Sequence, residues 1–193
     1  TFVTGLLLVY LFYYLLGWSP DPTGRLDVFV VPPPEITGFL LVDSALAGDA
    51  AALRAALAQL VLPSVTLALF VVAPLSRIAR GSMLSVMASD YVMAAEAAGF
   101  SRRRVVLVTG LGNAALPVLT VAGTVFSAML GSGVLVEKVF AWPGVGSYAV
   151  DAMMAGDFAA VQGFVLSMAL ACVLVNLAVD MLCRAADPRV SLA

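Results

Sequence analysis

Ser89–Pro117 reads SDYVMAAEAAGFSRRRVVLVTGLGNAALP, and it is the longest stretch of the chain that is neither a plain apolar span nor an acidic loop. Its Ala-rich run from Met87 to Ala98 favours helix and stops at Gly99, after which Ser101 stands where an N-cap would open a second helix. The pattern is helix, break, helix. Arg102, Arg103 and Arg104 would fill the first turn of that second helix, where cations oppose the macrodipole. They are better explained by something anionic nearby, either lipid headgroups or a partner protein, although arginines also serve as plain topology anchors.

The surroundings of this stretch are membrane. Of 193 residues, 62% are apolar and 11% charged, and the mean hydropathy of +1.05 lies far outside the range of a soluble globular domain. The net charge of -2 matters less than its placement, because Lys and Arg set topology. The absence of His excludes imidazole catalysis, His metal sites and His pH switches. Cys172 and Cys183 fall on one apolar helix, about 16 Å apart by helical rise, too far for a mutual disulfide, and read as buried thiols. Thr1 opens within an apolar run with neither Met nor a basic region before it. No signal peptide is expected there, and the N-terminus reads as truncated.

Four spans are expected. The first covers 2–18, with Tyr10, Tyr13, Tyr14 and Trp18 weighting its second half toward an aromatic belt. Ser19 to about Gln59 is Pro-rich and acidic (Asp21, Asp27, Glu35, Asp43 and Asp49 against Arg25 and Arg54), hence an external loop. Within it Leu53, Ala56, Leu57 and Leu60 suggest a short surface helix before Pro63 opens the second span, 60–76. Pro74 should kink the last turn of that span. Arg77 and Arg80 follow at once, which marks that end as cytoplasmic. Residues 77–113 form the cytoplasmic loop. From Val105 to Val136 no residue is charged, and one helix of that length would measure about 48 Å, beyond a hydrocarbon core of roughly 30 Å. A break at Gly110, Gly112 and Asn113 is expected, leaving Ser101–Leu111 as an interfacial helix and 114–136 as the third span. Glu137–Asp157 is external, a turn at Pro143, Gly144 and Gly146 followed by a short amphipathic helix. The fourth span is 158–179, after which Arg184 and Arg189 place the C-terminus inside.

Small residues recur every fourth position in the last two spans: Gly123, Ser127 and Gly131 in one, Gly163, Ser167 and Ala171 in the other. Close helix packing is the favoured reading, and a pathway lining the alternative. Chemistry is thin. Lys138 is the only lysine and no Gly-rich run precedes it, so the chain has no phosphate-binding loop of the ATPase type. There is no Ser/His or Cys/His pair, and no ionisable residue stands near mid-span, which argues against a proton-relay carrier. The expected protein is not an enzyme, binds no cofactor or metal, and must take its energy from elsewhere.

The segments PPPEITGFLLVDSALAGD, DYVMAAEAAGFSRRRV, NAALPVLTV, VEKVFAWPGVG and a terminal DPRV together resemble the permease subunits of dipeptide/oligopeptide (and related nickel) binding-protein-dependent ABC importers. The resemblance runs nearly end to end and implies that the two N-terminal spans of a six-span permease are lacking. The cytoplasmic loop is similar to the EAA loop of such permeases. Aligned on Gly99, Met93, Ala94 and Ala95 take the EAA positions, and the literal Glu96, Ala97, Ala98 follow one turn later. The resemblance implies that Asp90, Tyr91, Met93, Ala94, Ala95, Glu96, Gly99, Arg102, Arg103, Leu116 and Pro117 couple the permease to an ATPase. It also implies a prokaryotic cytoplasmic membrane and four partners: a second homologous permease, two cytoplasmic ATPase subunits that bind the ATP, and an extracytoplasmic substrate-binding protein. The lipid bilayer is a further partner, and nucleic acid is not one. Peptide is the expected cargo. A nickel importer, a stand-alone channel and a secondary carrier are the alternatives. Trp142, Pro143 and Gly144 read first as a structural turn and second as a contact for the binding protein.

Overall fold

The computed structural model describes residues 1–27 and 30–186, so Arg189 and the terminal DPRV segment lie outside the described residues. Every regular element among the described residues is helical, the all-α architecture expected. The helices are α1 (Phe2–Leu15), α2 (Leu40–Leu46), α3 (Ala50–Met87), α4 (Asp90–Ala97), α5 (Arg102–Val139), α6 (Val145–Ala155) and α7 (Phe158–Ala186). Three of them, α3, α5 and α7, are long and apolar enough to cross a membrane, and α1 is a shorter apolar helix.

Two expectations are corrected. The surface helix and the span opening at Pro63 are one helix: α3 starts at Ala50 and runs 38 residues through both Pro63 and Pro74. Its start is set by Asp49, whose Oδ1 accepts the N–H groups of Ala51 and Ala52 at 3.0 and 2.9 Å. Proline costs a helix one hydrogen bond and some steric strain. Here Ala52, Ala56, Gln59, Leu62, Pro63 and Thr66 are all buried, and this stripe at three- and four-residue spacing holds the helix together across the proline.

The break at Gly110, Gly112 and Asn113 is likewise absent, for α5 is a continuous helix of 38 residues. Glycine in a helix interior costs only about 1 kcal/mol, and neither Gly110 nor Gly112 leaves helical φ. The backbone instead widens into a π-helix over Val105–Gly110. A helix of this length spans about 57 Å.

Contact density divides the chain into two compact units, Thr1–Phe70 with Leu130–Ser167, and Val71–Met129 with the chain from Met168. In the first, Leu62, Val136 and Phe140 form a buried core on which Leu8, Val9, Phe12, Leu67 and Val139 pack. The turn-plus-helix expected after Glu137 is present, and several backbone approaches build it. Ala141 adopts φ 47, Trp142 N–H donates to the Glu137 carbonyl at 2.7 Å, and Arg25 donates to the Pro143 carbonyl at 2.8 Å. Gly146 lets α6 touch α5, since a Cβ there would stand 2.7 Å from Val134 Cγ2.

Candidate functional site

The second unit contains the Ser89–Pro117 stretch. Its α4 helix ends at Ala98 in a left-handed turn: Gly99 has φ 82, its N–H donates to the Glu96 carbonyl at 3.0 Å, and Phe100 N–H donates to the Ala95 carbonyl at 3.2 Å. These two hydrogen bonds satisfy carbonyls that a helix end leaves open, and glycine adopts such a φ without steric cost. Ser101 then takes extended φ/ψ at the N-cap of α5, but its side chain makes no capping bond.

One residue of α4 faces inward. Val92 is buried, as is Val105 at the start of the π-helical segment, and α4 packs against that segment. Asp90, Tyr91, Met93, Ala94 and Glu96 are exposed and Ala95 is half-buried. Gly110 seals the other side of the junction: a Cβ there would lie 2.8 Å from Met83 Cε and 3.3 Å from Met87 Sδ of α3. The short helix is therefore fastened to the start of α5, and α5 is in turn braced on α3 at Gly110, while the polar groups of α4 are exposed. Val92, Val105, Met83 and Met87 escaped the sequence reading. A lone β-branched residue among alanines in α4 was the available signal for Val92.

The arginines are exposed, and none of Arg102, Arg103 or Arg104 forms an ion pair among the described residues. Arg104 stacks its guanidinium 4.8 Å over the Phe100 ring, which fixes one of the three. Arg102 and Arg103 line a shallow depression with Val106 and Leu107. Three cations at a helix N-terminus remain electrostatically unfavourable until an anionic surface meets them. Leu116 is half-buried and Pro117 exposed. Pro117 sits inside α5, where its missing N–H deprives the Asn113 carbonyl of its helical partner.

The small-residue positions separate. Gly123 is buried against α7, where a Cβ would stand 3.1 Å from Val179 Cγ2 and 3.4 Å from Asn176 Oδ1. Ser127 turns its hydroxyl to the Gly123 carbonyl at 3.1 Å, the usual way a hydroxyl hides in an apolar helix. Gly131 and Gly163 meet nothing within 4 Å, and Ser167 likewise donates to its own helix, at the Gly163 carbonyl. Cys172 and Cys183 are half-buried free thiols, less enclosed than expected. Among the described residues no group of His, Cys, Asp or Glu could hold a metal ion.

Comparison with known proteins matches residues 1–192 to the family described as "Binding-protein-dependent transport system inner membrane component". The chain is 41% identical over 186 residues to the "Di/tripeptide transport system permease protein DppB" of Pseudomonas aeruginosa (strain UCBPP-PA14), covering 96% of this chain and 55% of that protein. It is 39% identical over 176 residues to the "Dipeptide transport system permease protein DppB" of Escherichia coli (strain K12), covering 90% and 52%. A third relative, the "Glutathione transport system permease protein GsiC" of Escherichia coli O1:K1 / APEC, is 42% identical over 130 residues, covering 67% and 42%. The chain spans about half the length of the curated relatives it matches.

Proposed function

The chain belongs to the family of binding-protein-dependent transport system inner membrane components, and from that premise we propose that it forms part of the permease of an ABC importer for short peptides. In this reading α3, α5 and α7 cross the cytoplasmic membrane of a prokaryote through 60–76, 114–136 and 158–179, and α1 supplies the span of 2–18. Residues 77–113 lie in the cytoplasm. They form helical extensions of α3 and α5 with α4 set between them.

The observation that carries the reading is the fastening of α4. Val92 and Val105 are buried where α4 packs on α5 and Gly110 of α5 abuts Met83 and Met87 of α3, whereas Asp90, Tyr91, Met93, Glu96, Arg102 and Arg103 are exposed. A short helix with a polar outer face and a rigid apolar root is suited to receive a push and pass it on. ATPase subunits that close on ATP would press on that outer face, and the continuous α5 would carry the displacement past Leu116 and Pro117 into the membrane. The spans would then exchange between inward-open and outward-open states. A second permease subunit and an extracytoplasmic binding protein complete the proposed assembly, and this chain itself binds no nucleotide. The dipeptide and tripeptide transport named for its relatives supports peptide as the cargo.

The test reconstitutes the full-length permease with its companion subunits in vesicles and follows uptake of a labelled dipeptide together with ATP hydrolysis. Peptide uptake that needs ATP, and retention of the ATPase on purification, are expected. Uptake without ATPase or ATP would refute the coupling, and ATP-driven uptake of nickel but no peptide would refute the cargo. Cysteine labelling at Ser101 and Ser147 should report opposite sides of the membrane, and labelling of both from one side would overturn the topology.

A further inference from the structure

α2 is built with its polarity reversed. Asp43 and Ser44, its polar residues, are 2% and 0% exposed, while Phe39, Val42 and Leu46 are 72%, 45% and 62% exposed. The buried groups are fully satisfied. Asp43 accepts the Thr37 N–H and hydroxyl, each at 2.7 Å, and the Gly38 N–H at 3.1 Å, and the Ser44 hydroxyl donates to the Leu40 carbonyl at 2.7 Å. The inverted arrangement is thus fixed from inside, and the outward row of large apolar side chains needs an apolar environment.

Depth along α3 says what that environment is. Gly38, Phe39, Leu40, Leu41 and Val42 line a cleft of about 390 Å³ together with Arg25, with Ala56 and Leu60 of α3 and with Trp142. Leu60 begins the span proposed for α3, about 12 Å by helical rise from its middle, and a hydrocarbon half-thickness is roughly 15 Å. Ala56 lies one turn further out. α2 therefore sits level with the boundary between headgroups and acyl chains, the depth at which surface helices bury an apolar face and at which tryptophan collects. Further along α3, Val61, Val65 and Leu69 are exposed at four-residue spacing, an apolar row on one face of the proposed span. The charged residues that flank α2 in sequence are mostly acidic, Asp21, Asp27, Glu35 and Asp49 against Arg25 and Arg54, so the segment has no net attraction to anionic lipid.

We propose that α2 is an interfacial helix that lays Phe39, Val42 and Leu46 into the bilayer surface on the external side, held there by apolar burial alone. The inference rests on the span proposed for α3. Its partner is the lipid boundary itself, in zwitterionic as in anionic membranes.

The experiment uses the full-length permease in its assembled transporter, with Cys172→Ser and Cys183→Ser as background, reconstituted in phosphatidylcholine vesicles. Single cysteines placed by Phe39→Cys, Val42→Cys and Leu46→Cys carry an environment-sensitive fluorophore. Glu35→Cys serves as an aqueous control and Val65→Cys as a span control. Nitroxide lipid labelled near the headgroup should extinguish the three α2 probes, nitroxide lipid labelled deep in the acyl chain should extinguish the Val65 probe, and aqueous iodide should extinguish only the Glu35 probe. Iodide quenching at α2, or shielding of α2 from both quenchers by protein, overturns the proposal. Loss of lipid quenching at Val65 as well removes the span and the inference with it, whereas quenching at Val65 alone overturns the inference and leaves the span standing.

Discussion

The Glu137 carboxylate accepts the backbone N–H of Ser147 at 2.7 Å, so a side chain from α5 caps the first turn of α6 from outside that helix. The N-cap position of α6 is Gly144, which has no side chain to offer. A Cβ at Gly144 would collide with the Glu137 carboxyl group, so glycine is what admits the distant cap. Glu137 also places a negative charge at the positive end of the α6 dipole. In the segment VEKVFAWPGVG, acid and glycine are therefore one device.

Glu137→Ala should cost about 1 kcal/mol, the usual cost of removing a helix N-cap, and Glu137→Gln less, because the amide oxygen can still accept. Gly144→Ala should be worse than either, since it displaces the cap and adds a clash. Thermal unfolding of the purified permease in detergent gives the order. Equal melting temperatures for Gly144→Ala and wild type would refute the cap.

Gly99 has φ 82 with nothing within 4 Å of its Cβ position, so any penalty for substitution there is conformational. A left-handed residue with a side chain costs roughly 1–2 kcal/mol. Gly99→Asn should be nearly neutral and Gly99→Val should tilt or loosen α4. Expression and insertion should survive in both, while substrate-stimulated ATP hydrolysis and uptake fall in Gly99→Val. Wild-type uptake and ATPase retention in Gly99→Val would return this turn to the rank of an ordinary connection.

Of the three glycines at the small-residue positions, only Gly123 is tight. Gly123→Ala would bring a Cβ to 3.1 Å from Val179 Cγ2, and Val179→Ala should relieve it. Gly131→Ala and Gly163→Ala should be silent, because nothing lies within 4 Å of either. A double-mutant cycle on melting temperature checks the first pair. Additivity of Gly123→Ala and Val179→Ala would show that the two do not touch.

Asp43 carries a pH dependence. The Thr37 hydroxyl that donates to its carboxylate, aided by backbone N–H groups, lowers its pKa below 3.8 despite burial. A depressed folded-state pKa contributes stability that is present above the unfolded value and is lost as pH falls through the folded one. The loop around α2 should therefore hold at neutral pH and open only below about pH 3.8. Thr37→Val, which removes the leading donor, should move that opening to higher pH. Pepsin cleavage of this loop as a function of pH reads the shift, and identical profiles for the two proteins would contradict the assignment.

Composition alone determined the class of this protein. With 62% apolar residues and no histidine, burial in lipid and the absence of imidazole chemistry follow without coordinates, and the helix, Gly99 and helix order was legible because a helix end demands a residue that tolerates φ > 0. The turn before α6 was legible for a similar reason. What local signals misjudged were Pro63, Gly110 and Gly112, which read as breakers and are helical. Their intrinsic cost is about 3 kcal/mol for the proline and about 1 kcal/mol for each glycine, and the buried stripe of α3 and the contact of Gly110 with Met83 and Met87 offset it. Sequence periodicity also could not tell Gly123 from Gly131, because equal spacing on a helix says nothing about where a neighbour stands. Nor could it foresee that Asp43 would be inside and Phe39 outside. Those outcomes depend on which atoms from distant parts of the chain meet, and tertiary packing alone decides that.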